Sequence, residues 1–353
     1  MKKILGHTRG WTLILVLAIV LIGSSSQKAT AQAAGEGEAF YKGATLRLID
    51  PHAPGGSYDQ WVRALAPHMK KHTGANVVVE NMGGASGLMG GAHLYSVAKP
   101  DGLTVMILPM PGMIVSDMLE FKEVKYELEK FTYIGRVEVM TRGFFGSKAS
   151  GFNSVADMQK STKVIRFGSV DPTSQSSVDA SLISEAFGLK SKIIPGYKGS
   201  KEYMLALVAG REVDAAITTF TGYDAFVKRG ELSLMAMLGK KRHPDFPETP
   251  FLLEIPGLSP EGKKLLELLT ILVESGRMIV GPPGIPEANR LFLEKTLAAS
   301  LQEQALVDWA RKIGYNINPL SGKECKELVV RLMEIVPKEE RSKMKHLVTE
   351  KYF

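Results

Sequence analysis

A chain of 353 residues, 44% of them hydrophobic, can bury a substantial core and, at roughly 100–200 residues per domain, points to two domains. Its 44 Lys and Arg against 37 Asp and Glu give a formal charge of +7, but the bases are scattered among acids, as between Glu324 and Lys345, and form no single basic face or arm. That pattern excludes a nucleic-acid partner, and the lone Cys325 excludes an internal disulfide and a cysteine-based metal site.

The chain opens with Lys2, Lys3 and Arg9 before an uncharged apolar run over residues 11–22. A helix needs roughly 20 apolar residues to cross a ~30 Å hydrocarbon core, so this run is too short for an anchor and reads as an export signal. Small residues around Ala29, Ala31 and Ala33 offer cleavage sites, giving a signal peptide over 1–31, and no cysteine stands there to be lipidated. The expected location is periplasmic or otherwise extracytoplasmic. Residues 32–41, rich in Ala, Gln, Gly and Glu, are expected to form a flexible linker.

From Thr45 onward, β-branched runs at 45–50, 76–80, 104–108, 142–146, 164–168, 192–194, 215–219, 234–238 and 278–280 alternate with segments of helical spacing such as Trp61, Leu65 and Met69. This alternation predicts an α/β fold of mostly parallel sheets covered by helices. The pattern breaks at 131–143 and 243–256, as expected where a chain crosses between lobes. The resulting division is 42–141 for the first part of lobe I, 142–246 for lobe II and 247–353 for the second part of lobe I. Helices predicted at 286–301, 304–313 and 321–335 would pack on lobe I, and an amphipathic stretch at 262–273 would lie near the hinge.

Two loops carry the ligand chemistry. In Asp50-Pro51-His52-Ala53-Pro54-Gly55-Gly56-Ser57-Tyr58-Asp59 a strand passes through glycines into a helix, and Ser57 and Gln60 have capping-box spacing. Such a start presents unpaired N–H groups and the positive end of the helix dipole, which favour a carboxylate. It lacks both the Lys-Ser/Thr of a phosphate loop and the G-x-G-x-x-G order of a dinucleotide fold. Phe167-Gly168-Ser169-Val170-Asp171-Pro172-Thr173-Ser174 is a second strand end, rich in hydroxyls, at the place where open α/β sheets bind ligands. Ordinary capping and turn chemistry explains either loop taken alone.

Together with Asn81-Met82-Gly83-Gly84-Ala85-Ser86-Gly87 and Pro195-Gly196-Tyr197-Lys198-Gly199, these loops resemble the tripartite tricarboxylate transporter receptor family, the Bug-type periplasmic binding proteins. The matches are Pro51, Gly55, Gly56 and Asp59; Val78 to Asn81 with Gly84, Ala85 and Gly87; and Tyr197, Lys198 and Gly199. Lys99-Pro100-Asp101-Gly102, Gly210-Arg211-Glu212-Val213-Asp214 and Gly281-Pro282-Pro283-Gly284-Ile285-Pro286 extend the likeness, which runs from about Tyr41 to Glu324.

The resemblance implies a two-lobed Venus flytrap, type II-like, that captures a small carboxylate and delivers it to a permease of large and small membrane subunits, without catalysis or cofactor. It implies ligand contacts at His52, Pro54, Gly55, Gly56, Ser57, Asp59, Gly84, Ala85, Ser86, Ser169, Thr173, Ser174, Tyr197 and Lys198. The chain departs from the family pattern at Asp171 and Thr173, where glycines are usual, at Ser177 and Ser181 for a His and a Glu, at the inserted Gly196, and at His52 for an aromatic. The His52 ring reads either as loop packing or as an imidazolium that strengthens anion binding at lower pH.

Enzyme readings find no footing in the residues. No serine has glycine at both flanking positions of a G-x-S-x-G elbow. His68 and His72 have metal-like spacing, but Met-Lys-Lys between them lacks the zincin glutamate, so no metal is expected. An alternative partner for the ligand-bound form is a membrane sensor kinase.

Overall fold

The computed structural model describes residues 36–353 except Thr221 and Pro244. The export signal and its cleavage sites fall outside the described residues. The first described residues, 36–41, are helical, and Gly37 presses on a later helix: a Cβ there would lie 2.6 Å from Phe292 Cβ. Tyr41, fully buried, stacks on Phe292 with ring centroids 5.4 Å apart. This end of the segment read as a flexible linker is therefore docked by apolar burial.

The chain lays down β1 (Thr45–Asp50), α1 (Ser57–Thr73), β2 (Asn76–Asn81), α2 (Leu88–Ser96), β3 (Thr104–Pro109), α3 (Met110–Met118) and β4 (Thr132–Glu138). It then crosses through Val139, Met140 and Thr141 into β5 (Arg142–Ser147), α4 (Val155–Lys160), β6 (Ile165–Gly168), α5 (Gln175–Phe187), β7 (Ser191–Ile194), α6 (Ser200–Ala209), β8 (Ala215–Thr219), α7 (Asp224–Lys228) and β9 (Leu232–Leu238). The return leads to α8 (Pro260–Glu274), β10 (Arg277–Gly281), α9 (Glu287–Leu301), α10 (Gln304–Lys312), β11 (Ile317–Ser321), α11 (Gly322–Met333) and α12 (Lys338–Thr349).

Two sheets result, in the orders β11-β4-β10-β3-β1-β2 and β7-β6-β8-β5-β9. β1 runs parallel to β2 and β3, and β6 to β7 and β8. The fold is α/β and two-lobed, but its sheets are mixed rather than mostly parallel. β10 lies antiparallel between β3 and β4, β11 is antiparallel to β4, and β5 is antiparallel to β8 and β9. β5 and β10 are the strands that follow the two crossings, and each runs against its neighbours in the sheet it joins, while β11 follows β10 within the first lobe. Within the segment read as a crossing, residues 132–138 form β4, with six of its seven residues buried.

α9, α10 and α11 lie on the first sheet, where Leu293, Leu297, Leu301 and Leu306 join Trp61 and Leu65 of α1 in one core. α8 and α12 do not. Both pack against α5 of the second lobe, and a second apolar core runs through Met113 of α3, Ile183 of α5, Leu266 and Leu269 of α8 and Val348 of α12. The stretch at 262–273, expected near the hinge, is thus a strap between lobes that buries one apolar face. The contact is close: a Cβ on Gly262 would lie 2.4 Å from the Ala186 carbonyl oxygen. After α12, the Ile193 N–H donates to the Tyr352 carbonyl (2.7 Å) and Tyr352 Oη to Glu185 (2.6 Å), so the end of the 247–353 segment also rests on the second lobe. The lobes are joined along this face and part on the opposite one.

Candidate functional site

On the open face lies a cavity of about 1250 Å³ lined from both lobes. Lobe I contributes Gly55, Gly56, Ser57, Tyr315 and the residues around the end of α10; lobe II contributes Ser200, Lys201, Phe220 and Tyr223. Thr141, from the crossing, also lines it.

The first loop is held from beneath by carboxylates. Asp50 Oδ1 accepts the His52 N–H (3.0 Å) and lies 3.0 Å from His52 Nδ1, while Asn81 Nδ2 donates to Asp50 Oδ2, Asp59 Oδ1 and the His52 carbonyl. Asp59, buried at 5% exposure, accepts the Gly55 N–H at 3.0 Å and pairs with Arg63 at 2.9 Å. Burial alone would raise its pKa, but Arg63, the Gly55 N–H and Asn81 outweigh that and hold the carboxyl below its usual value. Asp59 therefore shapes the loop from within and does not face the cavity. His52 likewise packs, with its ring 4.5 Å from that of Tyr58. Gly55 sits at φ +89°, a left-handed conformation that suits glycine.

Gly56, not Ser57, is the N-cap of α1, and no side chain caps that helix. The first-turn N–H groups, lacking intrahelical acceptors by geometry, open beside the cavity with Gly55, Gly56 and Ser57. Ser57 Oγ instead accepts from Arg277 Nη2 at 2.7 Å. Arg277 is fully buried; its Nη1 donates to Glu138 Oε2 at 2.6 Å, and its guanidinium lies 4.2 Å from the centre of the Tyr58 ring. Trp61 Nε1 donates to the same Glu138 oxygen. Burial opposes the charge on Arg277, yet Glu138 prevails and pushes its pKa up, so it is a permanent cation.

Across the cavity, α6 repeats the arrangement. Its N-cap is Gly199 and makes no side-chain bond, so a second uncapped helix start, at Ser200 and Lys201, faces the same space from the other lobe. Tyr223 Oη donates to Ser200 Oγ at 3.2 Å. Lys201, Lys241 and Lys312 stand exposed on the rim, and none pairs with an acid among the described residues.

The hydroxyl loop of lobe II does not join them. Ser169 is fully buried, with its Oγ 2.8, 2.9 and 2.5 Å from the hydroxyls of Ser174, Ser176 and Ser177. Ser174 caps α5 by accepting the Ser177 N–H and donates to the Asp171 carbonyl at 2.7 Å. Thr173 Oγ1 donates to Asp171 Oδ1 at 2.6 Å. These hydroxyls satisfy one another and none lines the cavity. The loop nevertheless meets lobe I, because Ser86 Oγ donates to Asp171 Oδ2 at 2.6 Å. That contact ties the two loops together with Ala85 and Ser86 at φ +44° and +52°, beside Gly84. Pro54 is exposed. Tyr197 Oη reaches Glu212 (3.4 Å) and the Lys198 N–H reaches Glu202 (2.6 Å), so both brace the loop before α6 without entering the cavity.

Of the expected contacts, then, the cavity holds Gly55, Gly56 and Ser57, and it adds Ser200, Lys201, Tyr223 and Thr141. Gly199-Ser200 repeats Gly56-Ser57, a signal present in the sequence. Arg277 was equally visible as a lone charge heading the apolar run Met278-Ile279-Val280. Among the described residues no group of three His, Cys, Asp or Glu could hold a metal; His72 instead bonds Glu303 at 2.8 Å beside Lys71. Burial pushes the Cys325 thiol up to about 12.

Comparison with known proteins decides the family. Residues 61–262 match the family described as the tripartite tricarboxylate transporter family receptor. The chain belongs to this family. It is similar to a UPF0065 protein of Agrobacterium vitis, at 26% identity over 279 residues covering 78% of this chain and 76% of that one. It is also similar to BugT of Bordetella pertussis, at 24% over 277 residues, 76% of this chain and 79% of that one. Among solved structures, the periplasmic binding protein BugD aligns with TM-score 0.69 at 24% identity, covering 88% of this chain and 99% of its own. An R. palustris protein solved with adipate aligns with TM-score 0.70 at 23% identity (86% and 97%). MatC of Rhodopseudomonas palustris, solved with malate, aligns with TM-score 0.68 at 20% identity (86% and 99%). At these identities the structural likenesses establish the fold. The family is one of transporter receptors, and among the described residues no helix is long and apolar enough to cross a membrane.

Proposed function

We propose that this chain is an extracytoplasmic receptor that closes its two lobes on a small carboxylate and delivers it to a membrane permease of large and small subunits. The observation that carries the reading is the pair of helix starts, α1 from one lobe and α6 from the other, both without side-chain caps and both opening into one cavity. Each terminus favours a negative charge by about 0.3–2 kcal/mol, more where water is excluded. The unpaired lysines at the rim bias the cavity the same way. The malate and adipate held by two fold relatives are carboxylates of the size such a cleft would enclose.

A thermal-shift panel of mono-, di- and tricarboxylates, including malate and adipate, tests this. A ligand bound only by the folded state stabilises it by about 2.7 kcal/mol at a hundredfold excess over Kd. A clear rise in Tm with at least one acid, and recovery of that acid unconverted, is the expected result. No rise with any acid, or consumption of an acid by the purified protein, would overturn the reading.

A further inference from the structure

Ser57 brings a side-chain hydroxyl to the open start of α1, and the polarity of that hydroxyl is set from behind. A hydroxyl has one proton and two acceptor lone pairs, whereas a guanidinium has five donors and no acceptor. Because Arg277 Nη2 donates to Ser57 Oγ at 2.7 Å, the Ser57 proton must point elsewhere. The nearby Tyr315 hydroxyl directs its own proton to Gln60 Oε1 at 3.0 Å, with the Ser57 carbonyl at 3.4 Å, and so stands there only as an acceptor. A carboxylate at the helix start is a stronger acceptor than a phenol and takes that proton in preference.

Arg277 is built into place for this. Gly276, at φ +69°, has its Cβ position only 2.0 Å from the Glu138 carbonyl oxygen, so only glycine lets β10 begin this close to β4. The guanidinium is then stacked on Tyr58, bonded to Glu138 and shielded from solvent entirely. A fully buried ion pair is a poor device for stability, since apolar residues of similar volume do as well or better. Glu138 also cancels the charge of Arg277, so the pair offers the cavity an oriented donor without a bare cation.

We propose that Arg277, neutralised by Glu138, is a positioning residue that locks the Ser57 hydroxyl as a hydrogen-bond donor to the bound ligand, so that this subsite accepts only groups with free lone pairs, such as a carboxylate. The inference rests on the carboxylate reading of the cavity and adds the residue that sets its polarity. A ligand group that can only donate, such as an ammonium, finds no partner in Ser57.

Calorimetric titration of malate and adipate into the mature chain tests it. The proteins compared are wild type, Ser57→Ala, the paired replacement Glu138→Gln with Arg277→Met, and all three substitutions together. Gln at 138 keeps an acceptor for Trp61, and removing both charges leaves no lone buried ion. Ser57→Ala should weaken binding about tenfold, the paired replacement by nearly as much, and the triple variant no more than Ser57→Ala alone. If the losses multiply in the triple variant, or the paired replacement binds as wild type does, Arg277 has no role through Ser57. Should the paired replacement fail to fold, Arg277→Lys serves instead, because one ammonium cannot reproduce the fork to Glu138 and Ser57; wild-type affinity in that variant would overturn the proposal. If neither acid binds the wild-type protein, the titration is run with the acid that the thermal-shift panel identifies; if no acid of that panel binds, the carboxylate reading itself falls and the proposal falls with it, an outcome distinct from binding that is indifferent to Arg277.

Discussion

Replacing Gly56 with aspartate separates stability from binding, because the structure assigns the two effects opposite signs. Gly56 lies at φ −79° and ψ 176°, an extended conformation open to any residue, and the nearest atom to an added Cβ is the Ala53 carbonyl oxygen at 3.8 Å. No strain or clash follows. As N-cap of α1, an Asp carboxylate accepts a first-turn N–H that now lacks a side-chain partner. The gain over glycine is a few tenths of a kcal/mol from capping, plus about 0.3–1 kcal/mol from the dipole. The same carboxylate occupies the proposed anion site. Two unit charges about 4 Å apart at an effective dielectric near 20 repel by about 4 kcal/mol, close to three orders of magnitude in Kd. A thermal-shift assay should therefore show Gly56→Asp melting at or slightly above the wild-type temperature without ligand, and no longer responding to any acid that stabilises the wild type. An unchanged ligand response would place the site elsewhere, and a marked loss of Tm without ligand would show that the start of α1 had been misjudged.

Ser174→Ala should cost about 1 kcal/mol by removing the cap of α5, yet leave carboxylate affinity unchanged in calorimetry, because the Ser174 hydroxyl is enclosed; weakened binding would contradict that placement. Gly262→Ala drives a methyl toward the Ala186 carbonyl in the α5–α8 contact and should cost about 1–3 kcal/mol in urea unfolding, and an unchanged midpoint would mean that the contact is loose. The depressed pKa of Asp59 contributes stability that is complete above its unfolded value of about 3.9 and disappears as pH falls through the lower folded value. The stability difference between wild type and Asp59→Asn should therefore be constant near neutrality and shrink in acid, and a difference that grows in acid would reverse the argument. Cys325, buried with its thiol pKa pushed up to about 12, should resist iodoacetamide at pH 8 in the native protein and react once unfolded.

Local pattern alone settled much of this protein. β-branched runs alternating with 3.6-residue periodicity specify α/β units, because each strand and helix must bury its own apolar face wherever it finally packs. Gly55, Gly56 and Ser57 announced an open helix start, and the ordered set of loop motifs announced the receptor family. Tertiary structure decided whatever depends on what lies across a gap. β11, with the sequence Ile317-Asn318-Pro319-Leu320-Ser321, carries little strand signal of its own and is a strand because β4 pairs with it. The hydroxyls of Ser169 and Ser174 look alike in sequence to that of Ser57, but they close on one another, whereas the Ser57 hydroxyl accepts from Arg277, a residue 220 positions away. α8 and α12 carry ordinary amphipathic patterns, which show that an apolar face must be covered but not which lobe covers it. Periodicity is a property of one segment, whereas burial, hydrogen-bond polarity and the sign of a buried charge's neighbour belong to pairs of segments, and only the folded chain brings those pairs together.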